Sequence, residues 1–246
     1  MLRISILLVL LAGCLFPQAL SCAEARPPDA TVREDVGATA GFVTALELEL
    51  KYGDGAQTLG FVPAGDDHPA LGPNAIEVRD DGTILLSDPV RRTVFAVRVD
   101  ASGQTSVTVA GPLGPRPAAR SGGVPTDTHT VKTSGESGEI VFVDGGTERR
   151  VAVSAGGPLA SLHLVGVDRR GRAFVVVERF RELGDTMVDR ELLVVERSGA
   201  LVARTALPEP PLVSPLTELY LTPDGALYLL AAGADSVRVV RLEVRP

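Results

Sequence analysis

Chemistry in this chain has to come from three histidines, two cysteines and a scatter of carboxylates. Asp66, Asp67 and His68 follow one another in a proline-flanked stretch, and two carboxylates beside an imidazole are the donor set of a divalent-metal site. The same residues also suit a solvated turn that needs no ligand. His129 lies near Asp127, and His163 alternates with Leu162 and Leu164. Neither has a neighbour that would make it a general base. No G-x-S-x-G is present, so a serine nucleophile has no elbow to hold it. Ser121-Gly122-Gly123 and residues 134–138 are glycine-rich, but no helical pattern follows either, so they are blade loops and not phosphate loops. Asp88, Asp144 and Glu178 each stand just after an apolar run. Brought to one mouth they would form an acidic ring suited to a divalent cation or a basic partner; the competing reading is that each caps its own loop.

The elements that would position these residues are strands. Residues 71–100 read as three strands in series, broken by a tight Asp81-Gly82 turn and a corner at Pro89. Strands are expected at 75–78, 83–87, 93–99 and 105–110. Residues 111–125, rich in Pro, Gly and Ala, read as a surface loop. Similar turns recur at Gly138, Gly171 and Gly225, each just ahead of an apolar strand: 139–144, 173–177 and 226–230. With Gly82 they mark four repeats at a mean interval of roughly 48 residues, within the range of four-stranded blades. The second repeat is short, with 151–153 as its one clear third strand. The third carries an insertion at 179–190. The last offers three strands (218–221, 226–230 and 237–244), while residues 44–50, with Leu on one face and Glu on the other, form an orphan strand at the other end. Joining the orphan to the last repeat removes two exposed edges at once. The expected fold is therefore all-β: a small β-propeller of four blades, or five if 112–127 contributes strands, with its ring closed by the N-terminal strand in the C-terminal blade.

A resemblance sharpens this. Tyr52-Gly53-Asp54-Gly55, Leu59-Gly60, Gly72-Pro73-Asn74-Ala75-Ile76, Asp81-Gly82-Thr83-Ile84 and Asp88 together resemble the NHL-type propeller repeat. That repeat runs as a glycine-rich link, a proline entry, a strand, Asp-Gly, and a second strand ending in Asp. The likeness is close over residues 46–100 and holds only in outline beyond them. Where the family carries Asn and then Arg after the Asp, this chain has Arg91-Arg92-Thr93. The resemblance implies a propeller that binds partners on the faces of its disc. Such repeats serve enzymes and interaction modules alike, so it implies no activity.

Composition and targeting signals narrow the function classes. The 246 residues are 45% hydrophobic but only 4% aromatic, so the core is aliphatic. The net charge of −7, with lysine only at Lys51 and Lys132, argues against nucleic acid as a partner. Residues 1–25 read as a signal peptide: Arg3, an apolar stretch, then Ala23-Glu24-Ala25 ahead of a cut before Arg26. Leu11-Ala12-Gly13-Cys14 is similar to a lipoprotein lipobox, with Cys22 as an alternative lipidation site, and either would make the membrane a partner only through an N-terminal lipid. Residues 26–43 read as a flexible linker and 44–246 as the propeller domain. With both cysteines in the leader, no disulfide is expected in the domain. The expected protein is exported, periplasmic or membrane-anchored, and takes no cofactor, a divalent cation being the one candidate. Its expected role is non-catalytic, binding a protein or an envelope polymer. The alternative is a metal-dependent, lactonase- or esterase-like propeller hydrolase, and the single asparagine of the chain, Asn74, makes it poor in the amide ligands such a site uses. A third role is a structural lipoprotein whose task is tethering.

Overall fold

Alternation of apolar and polar residues, broken every few positions by Asp-Gly and related turns, leaves this chain little choice but antiparallel strands. A computed structural model describes residues 30–31, 41–114, 122–154, 156–181, 188–208 and 218–245. These form strands and no helix. The first two are β1 (Ala30–Thr31) and β2 (Phe42–Lys51). Next come β3 (Ala75–Val78), β4 (Ile84–Asp88), β5 (Thr93–Val99) and β6 (Thr105–Pro112), and then β7 (His129–Lys132), β8 (Ser137–Asp144) and β9 (Thr147–Ser154). They are followed by β10 (Leu159–Val167), β11 (Ala173–Phe180), β12 (Val188–Val195) and β13 (Leu201–Ala206). The last are β14 (Leu219–Leu221), β15 (Leu227–Ala232) and β16 (Ser236–Val244). Residues 1–25, with Cys14 and Cys22, and most of the 26–43 stretch lie outside the described residues, as do 115–121 and 182–187.

The strands make four four-stranded sheets, in the orders β3-β4-β5-β6, β1-β9-β8-β7, β10-β11-β12-β13 and β14-β15-β16-β2. All pairings are antiparallel except β1 with β9. Two of these sheets borrow a strand from the N-terminal part of the chain. Residues 44–50 are the body of β2, which runs antiparallel along β16 with Leu48 opposite Val239. The short second repeat, which supplies only β7, β8 and β9, gains its fourth strand from Ala30 and Thr31. The insertion expected at 179–190 is smaller than that range: β11 runs on to Phe180 and β12 begins at Val188, so the two strands are a lengthened hairpin.

Burial explains the patterning. Sheet β10–β13 is covered on both faces. Val175, Val177, Leu193 and Val195 pack with Ile140 and Phe142 of β8. Phe174, Val176, Leu192 and Val194 pack with Leu221, Leu227 and Leu229 of the last sheet. A strand buried on both sides has no need of polar alternation, hence the unbroken Ala-Phe-Val-Val-Val run at 173–177. The last sheet packs in turn on the first, with Leu48, Leu50, Leu230 and Val239 against Ile84, Leu86 and Phe95. Strand β4 is less enclosed than its sequence implies, because Leu85 and Ser87 on its second face are only half-buried.

The first strands of the sheets also touch: β10 packs on β7 and β14, and β14 on β3. Residues 122–124 run along this line. The Val124 amide donates to the Val167 carbonyl at 2.7 Å. A Cβ at Gly123 would sit 2.7 Å from that same carbonyl oxygen, and one at Gly122 would overlap the Tyr220 ring. The Gly-Gly pair is thus dictated by close approach and not by looseness.

Candidate functional site

Asp88 ends β4 fully buried, and its carboxylate is taken up locally. Oδ2 accepts from the Gly60 amide at 2.7 Å and Oδ1 from the Arg91 amide at 3.1 Å. The carboxylate thus ties the 52–61 link to the β4–β5 corner. It also explains Gly60, since a Cβ there would lie 2.8 Å from the Val90 side chain. Asp144, in the β8–β9 turn, is exposed and meets Arg197 Nη1 at 2.7 Å. Glu178 accepts from Ser161 Oγ at 2.7 Å and from Arg190 Nε at 3.1 Å. Each of the three serves its own neighbourhood, and among the described residues no group of three or more His, Cys, Asp and Glu is placed to hold a metal ion. Asp66, Asp67 and His68 are exposed. The Gly65 amide donates to the His68 carbonyl at 3.0 Å, which makes the segment a tight two-residue turn. His68 Nδ1 lies 3.0 Å from the Pro69 carbonyl and His129 Nδ1 2.9 Å from the Asp127 carbonyl, both backbone contacts.

Two open clefts lie at strand ends. The larger, of about 670 Å³, sits where the last sheet meets the first, and its lining includes Tyr52, Asp54, Phe61, Arg91 and Asp235. The Tyr52 and Phe61 rings stack with centroids 4.8 Å apart and planes inclined by 21°. Tyr52 donates its hydroxyl to the Gly233 carbonyl at 3.0 Å. Burial, and secondarily the charge of Asp88, pushes its phenol up to about 12, so it stays protonated. The Arg91 guanidinium donates to the Gly53 carbonyl and to Thr58 Oγ1, while its Nε is buried with no partner. The second cleft, of about 530 Å³, is framed by the turns of sheets β7–β9 and β10–β13, with Phe142 and Val167 in its lining and Thr126, Asp127, Asp144, Arg169 and Arg197 supplying polar groups.

Ion pairs bind one sheet to the next around these openings. Arg169 reaches Asp224 at 2.5 Å, and its amide donates to the Pro223 carbonyl at 2.8 Å. Arg149 Nη2 donates to the Ser198 carbonyl at 3.2 Å. Beneath one turn, Asp168 is fully buried against Arg172. Arg190, almost fully buried, spans Glu178 and Glu218. Sequence reasoning missed Arg172, Arg190 and Glu218. The available signal for Arg190 was its register: it precedes Leu192 and Val194 on the same buried face of β12, where a lone arginine demands carboxylate partners.

His163, exposed on β10, stands over this last network. Desolvation by its neighbours holds the imidazole below its ordinary pKa. Arg190 adds to that effect, while Glu178 and Glu218 oppose it. A histidine with a depressed folded-state pKa contributes fully above the unfolded value of about 6.5, and that contribution is lost as pH falls through the folded value. Stability should therefore decline on acidification below about pH 6.5. In a His163→Gln variant the decline between pH 7 and 5 should be shallower, as read by denaturant midpoints; an identical slope would exclude His163 as its source.

No family model, no curated protein and no solved structure matches this chain.

Proposed function

We propose that this is an exported, non-catalytic β-propeller of four blades that binds a protein or polymer of the cell envelope through the loop ends of its sheets. The observation that carries the reading is the packing order. The second sheet packs on the third, the third on the fourth, and the fourth, completed by β2, on the first. Consecutive blades of a propeller pack in such a series, and the NHL-like residues 52–88 fall where the fourth sheet meets the first. The loop ends favour binding over catalysis because Asp88, Asp144, Asp168 and Asp224 are engaged in tying sheets and turns together, and among the described residues the open clefts hold no nucleophile–base pair.

The test is cosedimentation of the protein, as the cell processes it, with purified cell-wall and membrane fractions. Saturable retention on one fraction is expected, with no change in melting temperature between calcium and a chelator. A site that binds metal only in the folded state would raise the midpoint with metal concentration. Absence of retention on every fraction, together with metal-dependent turnover of a lactone or ester, would replace this reading with the hydrolase.

A further inference from the structure

We infer that the cleft between the last and first sheets takes a short alkyl di- or polyamine, held by its ammonium groups; this rests on the binding-module reading and names a ligand class for it. The cleft's volume of about 670 Å³ falls within the range of small-molecule sites. Its lining joins two features that both favour an organic cation. The first is the stacked Tyr52–Phe61 pair, half-buried at the cleft wall. Aromatic faces attract ammonium groups and also accommodate the methylene chain between them. The second is uncompensated charge. Asp54 and Asp235 are exposed on opposite elements, the 52–61 link and the β15–β16 turn, and among the described residues neither carboxylate has an ion pair or hydrogen bond. Asp88 adds a third negative charge beneath Gly60. Against these stands one guanidinium, Arg91, fixed on the Gly53 carbonyl and Thr58 and turned to structural use. Everywhere else that an aspartate side chain lines a described cleft, in the β7–β13 opening, Asp144 and Asp168 have arginine partners and only Asp127 lacks one.

The charge of the whole chain, −7, draws cations towards it, so the test must separate a site from general attraction. The probe is spermidine, titrated calorimetrically into the full processed protein at low ionic strength. One site per chain is expected, with affinity reduced about tenfold in Asp235→Asn and similarly in Asp54→Asn. The Asp66→Asn/Asp67→Asn double variant removes two exposed charges from a neighbouring turn outside the cleft and should bind as the parent does. Circular dichroism of each variant guards against misfolding, and the surface position of all four aspartates makes folding indifferent to them. No saturable heat with spermidine overturns the proposal, as does equal weakening in the Asp66/Asp67 variant, which would mean diffuse counterion attraction. Retention on an envelope fraction with no spermidine site sinks the amine assignment alone, whereas loss of both sinks the binding-module reading with it.

Discussion

Replacing Asp168 with alanine should lower the stability of the protein by about 3–5 kcal/mol, the range for removing one partner of a buried ion pair. Its side chain is 0% exposed and that of Arg172 10%. Oδ1 accepts from the amides of Arg170 and Arg172, both at 2.9 Å, and Oδ2 from Arg172 Nε at 2.7 Å. Alanine would strip four donors of their acceptor and leave a guanidinium facing Phe174 with no counter-charge. The pair is walled in by the neighbouring sheet: a Cβ at Gly225 would lie 2.8 Å from both Asp168 Oδ2 and Arg172 Nη2. The freed guanidinium thus has little room to swing towards water. The expected drop in melting temperature is roughly 10 °C for a domain of this size. In an Asp168→Ala/Arg172→Leu double variant much of the loss should return, since no orphan charge stays buried. Unfolding curves for the two variants decide it; a single-variant loss within about 0.5 kcal/mol, the range of ordinary surface changes, would mean that the pair contributes nothing.

Arg190→Ala should cost about 3 kcal/mol by the same reasoning, at the lower end because its partners are less enclosed. The Arg190 side chain is 5% exposed, while those of Glu178 and Glu218 are 25% and 14% exposed. It grips Glu218 through both terminal nitrogens, at 2.9 and 2.5 Å, and Glu178 through Nε at 3.1 Å. Glu178 belongs to β11 and Glu218 stands just before β14, so one side chain fastens the third sheet to the fourth. Removing it sets two carboxylates facing each other without a cation. Arg190→Lys should recover only part of the loss, because a point charge cannot reproduce the two-pronged contact. If lysine restores full stability, the planar geometry is immaterial and charge alone holds the two sheets together.

Much of the architecture could be read from residue order. The Leu-Glu alternation at 45–50 marks a half-buried edge strand, and β2 is that strand, with Leu48 and Leu50 in the core and Glu47 and Glu49 in water. Asp81-Gly82 and its counterparts at Gly171 and Gly225 mark real turns, each glycine at positive φ. Gly138 is different: it lies inside β8, and a Cβ there would meet Leu162 at 2.5 Å, so its glycine serves sheet contact and not a turn. The pairing of Ala30–Thr31 with β9 was not legible, because a two-residue strand has no periodicity to detect. The sites were harder still. Asp88, Asp144 and Glu178 occupy equivalent places in sequence, but their roles depend on which cation or amide lies opposite. That is settled by the packing of distant strands: Arg197 reaches Asp144 from 53 residues away. Tyr52 and Phe61 gave no signal of stacking because the turn between them, not their spacing, brings the rings together.

The pairing of β2 with β16 also governs when the molecule can become complete. These strands stand at opposite ends of the chain, so the ladder that joins Leu50 to Val237 encloses nearly all of the intervening residues in one loop. Such contacts form late, since the entropy of bringing distant segments together must be met before they give anything back. Until the final residues of β16 emerge from the ribosome, β2 has no partner and its backbone edge lies open. Glu47, Glu49 and Lys51 along that edge then act as gatekeepers, charges that discourage a second unfinished chain from adding itself to the waiting strand. The polar side of β2, which in the finished fold pairs Glu47 with Arg238 of β16, protects the chain while it is being made.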